Sequence, residues 1–215
     1  MIERFGLYLI LTDPAAGYAA CAEAAVAAHV RYLQLRMKRE APADRRAVAH
    51  QVRAITRGTP TRFILNDDAA LAREVDADGL HLGQDDPPGC RTARAAWGIH
   101  GKIIGLSTHN RLQAAAATGM GADYIGVGPV FPTPTKPGGN PPLGVQRAAA
   151  IVEESPVTAV AIGGIDETTL PEVLAAGPVN FAVVRAVCAA ADPAAAISRL
   201  QAIWHRHMAA AGGRV

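Results

Sequence analysis

Two threonines and a lysine in VGPVFPTPTKPGGNPPLG, residues 127–144, stand after an apolar run and before a glycine-rich tail. Thr133 and Thr135 offer hydroxyl donors, Lys136 offers a compact positive charge, and Pro132, Pro134 and Pro137 stiffen the backbone that presents them. Such a set handles an anion, with phosphate or pyrophosphate as its natural guest. Alone, the stretch would read as ordinary solvated loop. A second polar set gives it weight. In QLRMK (34–38), an extended backbone aligns Gln34, Arg36 and Lys38 on one face and turns Leu35 and Met37 to the other. NDD (66–68), HLGQDD (81–86) and GLSTHN (105–110) each close a further apolar run. Asp67 and Asp86 fall on the ends of neighbouring runs, and two convergent carboxylates suit Mg²⁺, which takes one or two of them beside phosphate oxygens and water. Asp68 and Asp85 read equally well as helix N-caps.

These residues need a scaffold that brings many strand ends to one place. The chain alternates short aliphatic runs with Ala-rich, charged segments of helical length, the βαβα pattern of a parallel sheet. The runs predict strands at 7–12, 32–38, 62–67, 79–83, 102–107, 124–130, 158–163 and 181–187. Eight strands in a chain of 215 residues predict a single-domain (β/α)8 barrel spanning 1–215, near the lower end of the roughly 200 to 400 residues usual for that fold. Its active site is expected at the carboxyl ends of the strands. An open doubly wound sheet is the alternative, and GVGPVF (126–131) lacks the third glycine of a dinucleotide-binding turn. In such a barrel Gln34, Arg36 and Lys38 would point to the mouth, where polar side chains are costly unless they are paired or bind something. The loops after the last two strands, TAVAIGGI (158–165) and FAVVRAV (181–187), are the habitual phosphate site of these barrels, so Gly164 with the end of the last strand would hold a monophosphate.

Composition excludes several classes. An apolar content of 50% with 19% charge marks a globular protein, and a net charge of +2 is too small for a nucleic-acid surface. Trp97, Trp204 and the few other aromatics are too sparse for base stacking. Residues 1–12 are apolar but shorter than a membrane span and lack a cleavage pattern, so they read as the first strand. Cys21, Cys90 and Cys188 form no Cys-x-x-Cys pair, which argues against a disulfide framework or zinc and fits a reducing cytosol, hence a cytoplasmic protein. His29, His50 and His100 sit in helices or at their ends. His205 and His207, two apart on a terminal helix, do not share a face. His81 reads as a hydrogen-bonded core residue, with a place at the mouth as the alternative.

The order QLR-x-K, NDD, DG-x-H-x-GQ-x-D, G-x-S-x-H, GADYIGVGPVFPTPTK, AIGGI and AVV-x-A resembles the thiamine-phosphate synthase family, from about residue 7 to residue 190. The resemblance implies a transferase with Mg²⁺ as cofactor and small phosphorylated pyrimidine and thiazole molecules as partners. It would join the pyrimidine diphosphate to the thiazole phosphate, plain or carboxylated, and release pyrophosphate. No nucleic acid or membrane is implied, and an oligomer is allowed. By motif position, pyrimidine-diphosphate contacts fall on Gln34, Arg36, Lys38, Asn66, Ser107 and Lys136. Metal ligands fall on Asp67 and Asp86, and thiazole-phosphate contacts on Thr133, Thr135, Gly164, Val184 and Arg185. Among these, Lys136, Arg36, Lys38 and Ser107 carry the expected catalytic roles. Met37 replaces a common glutamate, and Arg185 replaces a common serine. A thiazole tautomerase of the same pathway is the nearest alternative and would use His109 as base, but Asp67, Asp86 and the Thr-x-Thr-Lys loop favour the synthase. A Schiff-base aldolase would need a desolvated strand lysine. A non-catalytic sensor of phosphorylated ligands would keep the cationic groups and need neither carboxylate.

Overall fold

Eight short runs of Leu, Ile, Val and aromatic residues pair side by side, all parallel, in chain order, and the last returns to the first to close a barrel. A computed structural model describes residues 3–84, 89–97, 101–135 and 139–212. Its strands are β1 (Leu7–Leu11), β2 (Tyr32–Leu35), β3 (Arg62–Asn66), β4 (Gly79–Leu82), β5 (Ile103–Thr108), β6 (Tyr124–Val127), β7 (Thr158–Ile162) and β8 (Phe181–Val183). Between and after them run α1 (Tyr18–Ala27), α2 (Pro42–Thr56), α3 (Ala69–Glu74), α4 (Cys90–Trp97), α5 (Arg111–Met120), α6 (Val145–Glu154), α7 (Leu170–Ala175), α8 (Arg185–Cys188) and α9 (Pro193–Ala210). The open-sheet alternative is thereby excluded. Among the described residues no helix is long and apolar enough to cross a membrane.

Strand alternation divides the core in two. Residues such as Leu9, Leu33, Phe63, Leu80 and Ile125 face outward into a large apolar layer shared with the helices. Tyr8, Ile10, Tyr32, Ile64, Tyr124, Val160 and Ala182 fill the barrel itself. The interior is aromatic as well as aliphatic, with the Tyr8, Tyr32 and Tyr124 rings 5.6 to 6.2 Å apart. Gly105 makes room for them, since a β-carbon there would overlap the Tyr124 ring.

Several strands end earlier than their sequence runs. β2 stops at Leu35 rather than residue 38, although the Arg36 N–H still donates to Leu11 O (3.0 Å) and the Thr12 hydroxyl donates to Arg36 O (3.0 Å). β3 stops at Asn66 because Asp67 turns into the left-handed region at φ 62°. β6 stops at Val127, beyond which the chain still pairs through Val130 N–H to Ile162 O (2.8 Å). β8 ends at Val183, not at residue 187, so Val184 and Arg185 belong to a strand-to-helix turn. Met37 is buried in the outer layer, as the alternation predicts. Asp68 is an N-cap, its Oδ1 accepting from Leu71 N–H at 2.9 Å, which satisfies one of the unpaired amides at the start of α3.

Candidate active site

A cavity of about 780 Å³ opens at the carboxyl ends of the strands. Its wall on the β2–β3 side is charged. Gln34, Arg36, Lys38, Asn66 and Asp67 all line it. Lys38 Nζ lies 2.9 Å from Asp67 Oδ2, with both side chains about a third or more exposed (43% and 32%). Half-buried Arg36 has its pKa lowered, chiefly by burial and in part offset by the charge of Asp67. Guanidinium is so weak an acid that it stays charged regardless. Asp67 is therefore flanked by two cations and sits in the left-handed backbone region. Its left-handed φ is fixed because its N–H donates to His81 O (2.9 Å), while Asp68 N–H donates to Asn66 O (2.7 Å). Most residues with a β-carbon lose roughly 1–2 kcal/mol in that region, and aspartate is among the few that visit it readily, because its short polar side chain hydrogen-bonds locally.

The opposite wall is built from glycine and hydroxyls. Thr133, Thr135, Gly164, Val184 and Arg185 line it. Gly163 and Gly164 have φ of 102° and 68°, and a β-carbon on Gly164 would lie 2.6 Å from Phe131 Cβ and 2.8 Å from Pro132 O. Only glycine lets the β7 loop pack this closely under the threonine loop. That loop is tied at its neck, with Leu143 N–H donating to Pro129 O (2.8 Å) and Gly144 N–H to Val130 O (3.0 Å). At its near end Thr135 N–H and the two hydroxyls converge, Thr133 Oγ1 lying 3.2 Å from Thr135 Oγ1. Arg185 is exposed and makes no ion pair among the described residues. The helix it starts has four residues, too short to carry a full macrodipole.

The floor is polar, although its strands read as apolar in the sequence. Gln34, buried to 1% exposure, donates from Nε2 to the Tyr8 hydroxyl (2.9 Å). Tyr8 and Tyr124 hydroxyls are 2.7 Å apart, and His81 bridges Tyr124 (2.9 Å) and the Ser107 hydroxyl (2.9 Å). Burial raises both phenol pKa values well above the ordinary range. His81 thus combines the two places considered for it, hydrogen-bonded in the interior and lining the cavity. The alternation of Tyr8 with Ile10, His81 with Gly79 and Tyr124 with Gly126 would have placed all three inside. His109 also lines the cavity, its Nδ1 bonded to Gly128 O at 2.7 Å.

Of the predicted site residues, Gln34, Arg36, Lys38, Asn66, Asp67, Ser107, Thr133, Thr135, Gly164, Val184 and Arg185 share this one cavity. Asp86 and Lys136 lie outside the described residues. No group of three or more potential metal ligands forms among the described residues; Asp67, the hard carboxylate of the charged wall, is paired with Lys38, and Mg²⁺ there would take its remaining ligands from phosphate oxygens and water.

A closed (β/α)8 barrel whose mouth sets a cation–carboxylate wall against a glycine–hydroxyl wall defines the class: a barrel suited to phosphorylated ligands. The model of the thiamine monophosphate synthase family matches residues 7–187, and the chain belongs to that family. The thiamine-phosphate synthase of Chloroflexus aurantiacus is 40% identical over 181 residues, covering 84% of this chain and 82% of that one. That of Synechocystis is 42% identical over 199 residues, which cover 93% of this chain but 57% of that longer protein. Among solved structures, thiamine phosphate pyrophosphorylase from Pyrococcus furiosus superposes with a TM-score of 0.83 at 30% identity, covering 95% of this chain and 98% of that one.

Proposed function

We propose that this chain condenses 4-amino-2-methyl-5-(diphosphooxymethyl)pyrimidine with a 4-methyl-5-hydroxyethylthiazole phosphate, plain or carboxylated, to give thiamine phosphate and pyrophosphate. The observation that carries the reading is the pairing of two unlike anion-handling walls across one cavity. Arg36 and Lys38, with Lys136 from the threonine loop, would hold the diphosphate. Thr133, Thr135, Gly164, Val184 and Arg185 would hold the thiazole phosphate. Gln34, Asn66 and Ser107 would orient the pyrimidine.

Such a reaction needs no protein nucleophile. Cleavage of the carbon–oxygen bond leaves a pyrimidine-methyl cation stabilised by the electron-rich aminopyrimidine, and the thiazole nitrogen then attacks that carbon. The protein's task is to neutralise charge gathering on the departing pyrophosphate. Preorganised cations do this without reorganisation at the moment of reaction, and each is worth about 3–4 kcal/mol, or roughly 10²–10³ in rate. Asp67, with Asp86, would hold Mg²⁺, which when bound supplies further neutralisation of the diphosphate oxygens. Buried free thiols at Cys21, Cys90 and Cys188 support a reducing compartment, the cytoplasm.

The test is direct. Purified protein with both phosphorylated precursors should form thiamine phosphate and pyrophosphate in equal amounts with Mg²⁺, and neither after chelation. Thiazole isomerisation without coupling would move the assignment to a tautomerase. Binding of both precursors without turnover would make it a sensor.

A further inference from the structure

A continuous line of hydrogen bonds crosses the cavity floor, through groups that the charge-neutralising walls do not require. It runs from Gln34 Nε2 to the Tyr8 hydroxyl, on to the Tyr124 hydroxyl, to His81 Nδ1, and from His81 Nε2 to Ser107 Oγ, with steps of 2.9, 2.7, 2.9 and 2.9 Å. Five strands contribute one member each: β1, β2, β4, β5 and β6. The two ends, Gln34 and Ser107, both line the cavity.

Counting hydrogens gives the line a direction. Burial keeps both phenols protonated at neutral pH, so each has one hydrogen to give. Tyr8 accepts from the Gln34 amide nitrogen, which cannot take a hydrogen back, so among the described residues the only acceptor in reach for the Tyr8 hydrogen is the Tyr124 oxygen. With Tyr8 the donor in that pair, the Tyr124 hydrogen has His81 Nδ1 as its acceptor. An imidazole that accepts at Nδ1 is neutral and carries its hydrogen on Nε2, where it donates to Ser107 Oγ. The Ser107 hydroxyl hydrogen finds no acceptor among the described residues and is left for a ligand.

We infer that His81 is a positioning residue: the Tyr8–Tyr124 pair locks its ring in the neutral Nε2–H form, and through it Ser107 meets the ligand as a hydrogen-bond donor rather than an acceptor. The group facing Ser107 must then be an acceptor, such as an unprotonated ring nitrogen. Gln34, with its NH₂ group committed to the phenol, presents Oε1 as an acceptor for a ligand amine. An amine beside a ring nitrogen is the edge of an aminopyrimidine, so the ligand half of this inference rests on the proposed function, whereas the tautomer half does not.

The experiment uses full-length protein with ¹⁵N-labelled histidine, free of substrate, near pH 7.5. The His81 signals are identified by their loss in His81→Asn. The expected spectrum shows the hydrogen on Nε2 and a bare Nδ1. In Tyr124→Phe the lock is gone, so the two tautomers should mix, and KM for the pyrimidine diphosphate should rise about 10-fold through loss of one aligned hydrogen bond. KM for the thiazole phosphate should stay within twofold, which a general loosening of the barrel would not allow. A wild-type ring protonated on Nδ1 overturns the inference, as does an unchanged His81 spectrum in Tyr124→Phe. Should that variant not fold, the wild-type spectrum alone decides the matter. A protein with the expected tautomer that makes no thiamine phosphate would sink the proposed function and leave the relay standing.

Discussion

Asp67→Asn separates the chemistry of the charged wall from its architecture, because asparagine keeps the shape of the side chain and its tolerance of a left-handed φ. The fold should barely register the change. The substitution removes the charge from the 2.9 Å pair with Lys38, and with 43% and 32% of the two side chains exposed that pair is worth what a surface ion pair is worth, about 0–1 kcal/mol. Asp67→Ala would add the left-handed penalty of roughly 1–2 kcal/mol at φ 62°, so it makes a poorer probe. Activity should respond differently. Removing the one described carboxylate on this wall takes away the proposed metal-facing charge, an effect on the scale of a preorganised electrostatic interaction, about 3–4 kcal/mol or roughly 10²–10³ in kcat. Pyrophosphate release at saturating substrates, measured across a Mg²⁺ titration, reports the second quantity, and urea denaturation reports the first. If Asp67→Asn retains kcat within threefold of wild type at limiting Mg²⁺, Asp67 holds no metal and the reasoning fails. A loss of stability well above 1 kcal/mol would refute the other half, showing Asp67 to be structural.

Gly164→Ala, with its β-carbon forced to 2.6 Å from Phe131 Cβ at a φ of 68°, should push the threonine loop away and lower stability by about 1–3 kcal/mol; a melting temperature within a degree of wild type would contradict the packing account. Arg185→Ala should raise KM for the thiazole phosphate roughly 10- to 100-fold and leave the pyrimidine KM alone, with Arg185→Ser losing less, and steady-state kinetics with each substrate varied in turn would detect the failure of either part. Stability should fall in alkali. Burial raises Cys188 and Tyr18 to about 12 from ordinary values of 9.0 and 10.0, so between those limits the unfolded chain releases protons that the native one keeps, and ΔG of unfolding decreases as pH rises. Urea midpoints flat to about pH 8.5 and declining above pH 9 are expected; a midpoint that climbs over that range would reverse the sign.

The barrel is legible in the sequence because its signal is repeated. Each apolar run recurs at the spacing a β/α unit needs, and no single misplaced boundary could hide eight of them. Boundaries are the weaker part, for physical reasons visible in particular residues. RYLQLRMK keeps its alternation past Leu35, and Met37 is indeed buried, but β1 has already ended at Leu11 and offers no further ladder beyond Arg36. Likewise FAVVRAV looks like a continuous strand, yet neighbouring β7 ends at Ile162, opposite Ala182, and the chain coils into α8 at Arg185. Rim residues stand out because charge at the end of an apolar run is conspicuous. The floor does not, because tyrosine and histidine inside a strand look like packing, and only the three-dimensional register brings Tyr8, Tyr124 and His81 within hydrogen-bond distance of one another.

That register also explains why so polar a floor is tolerated. An isolated phenol or imidazole buried in a barrel would forfeit its hydrogen bonds to water, at a cost of about 1–3 kcal/mol for each unsatisfied group. Here each polar atom meets the next, so the cost is confined to the two ends of the line, and both ends open on the cavity. A ligand that satisfies those ends completes the network; one that cannot leaves buried polar groups unpaired, a stronger basis for rejection than a missing apolar contact. On the proposed reading the labour is thus divided by position in the barrel. The walls, reachable by water and built from long cationic side chains and glycine loops, neutralise phosphates that many metabolites carry. Selectivity between one phosphorylated ring and another falls to the floor, where the fold fixes which atom donates and which accepts.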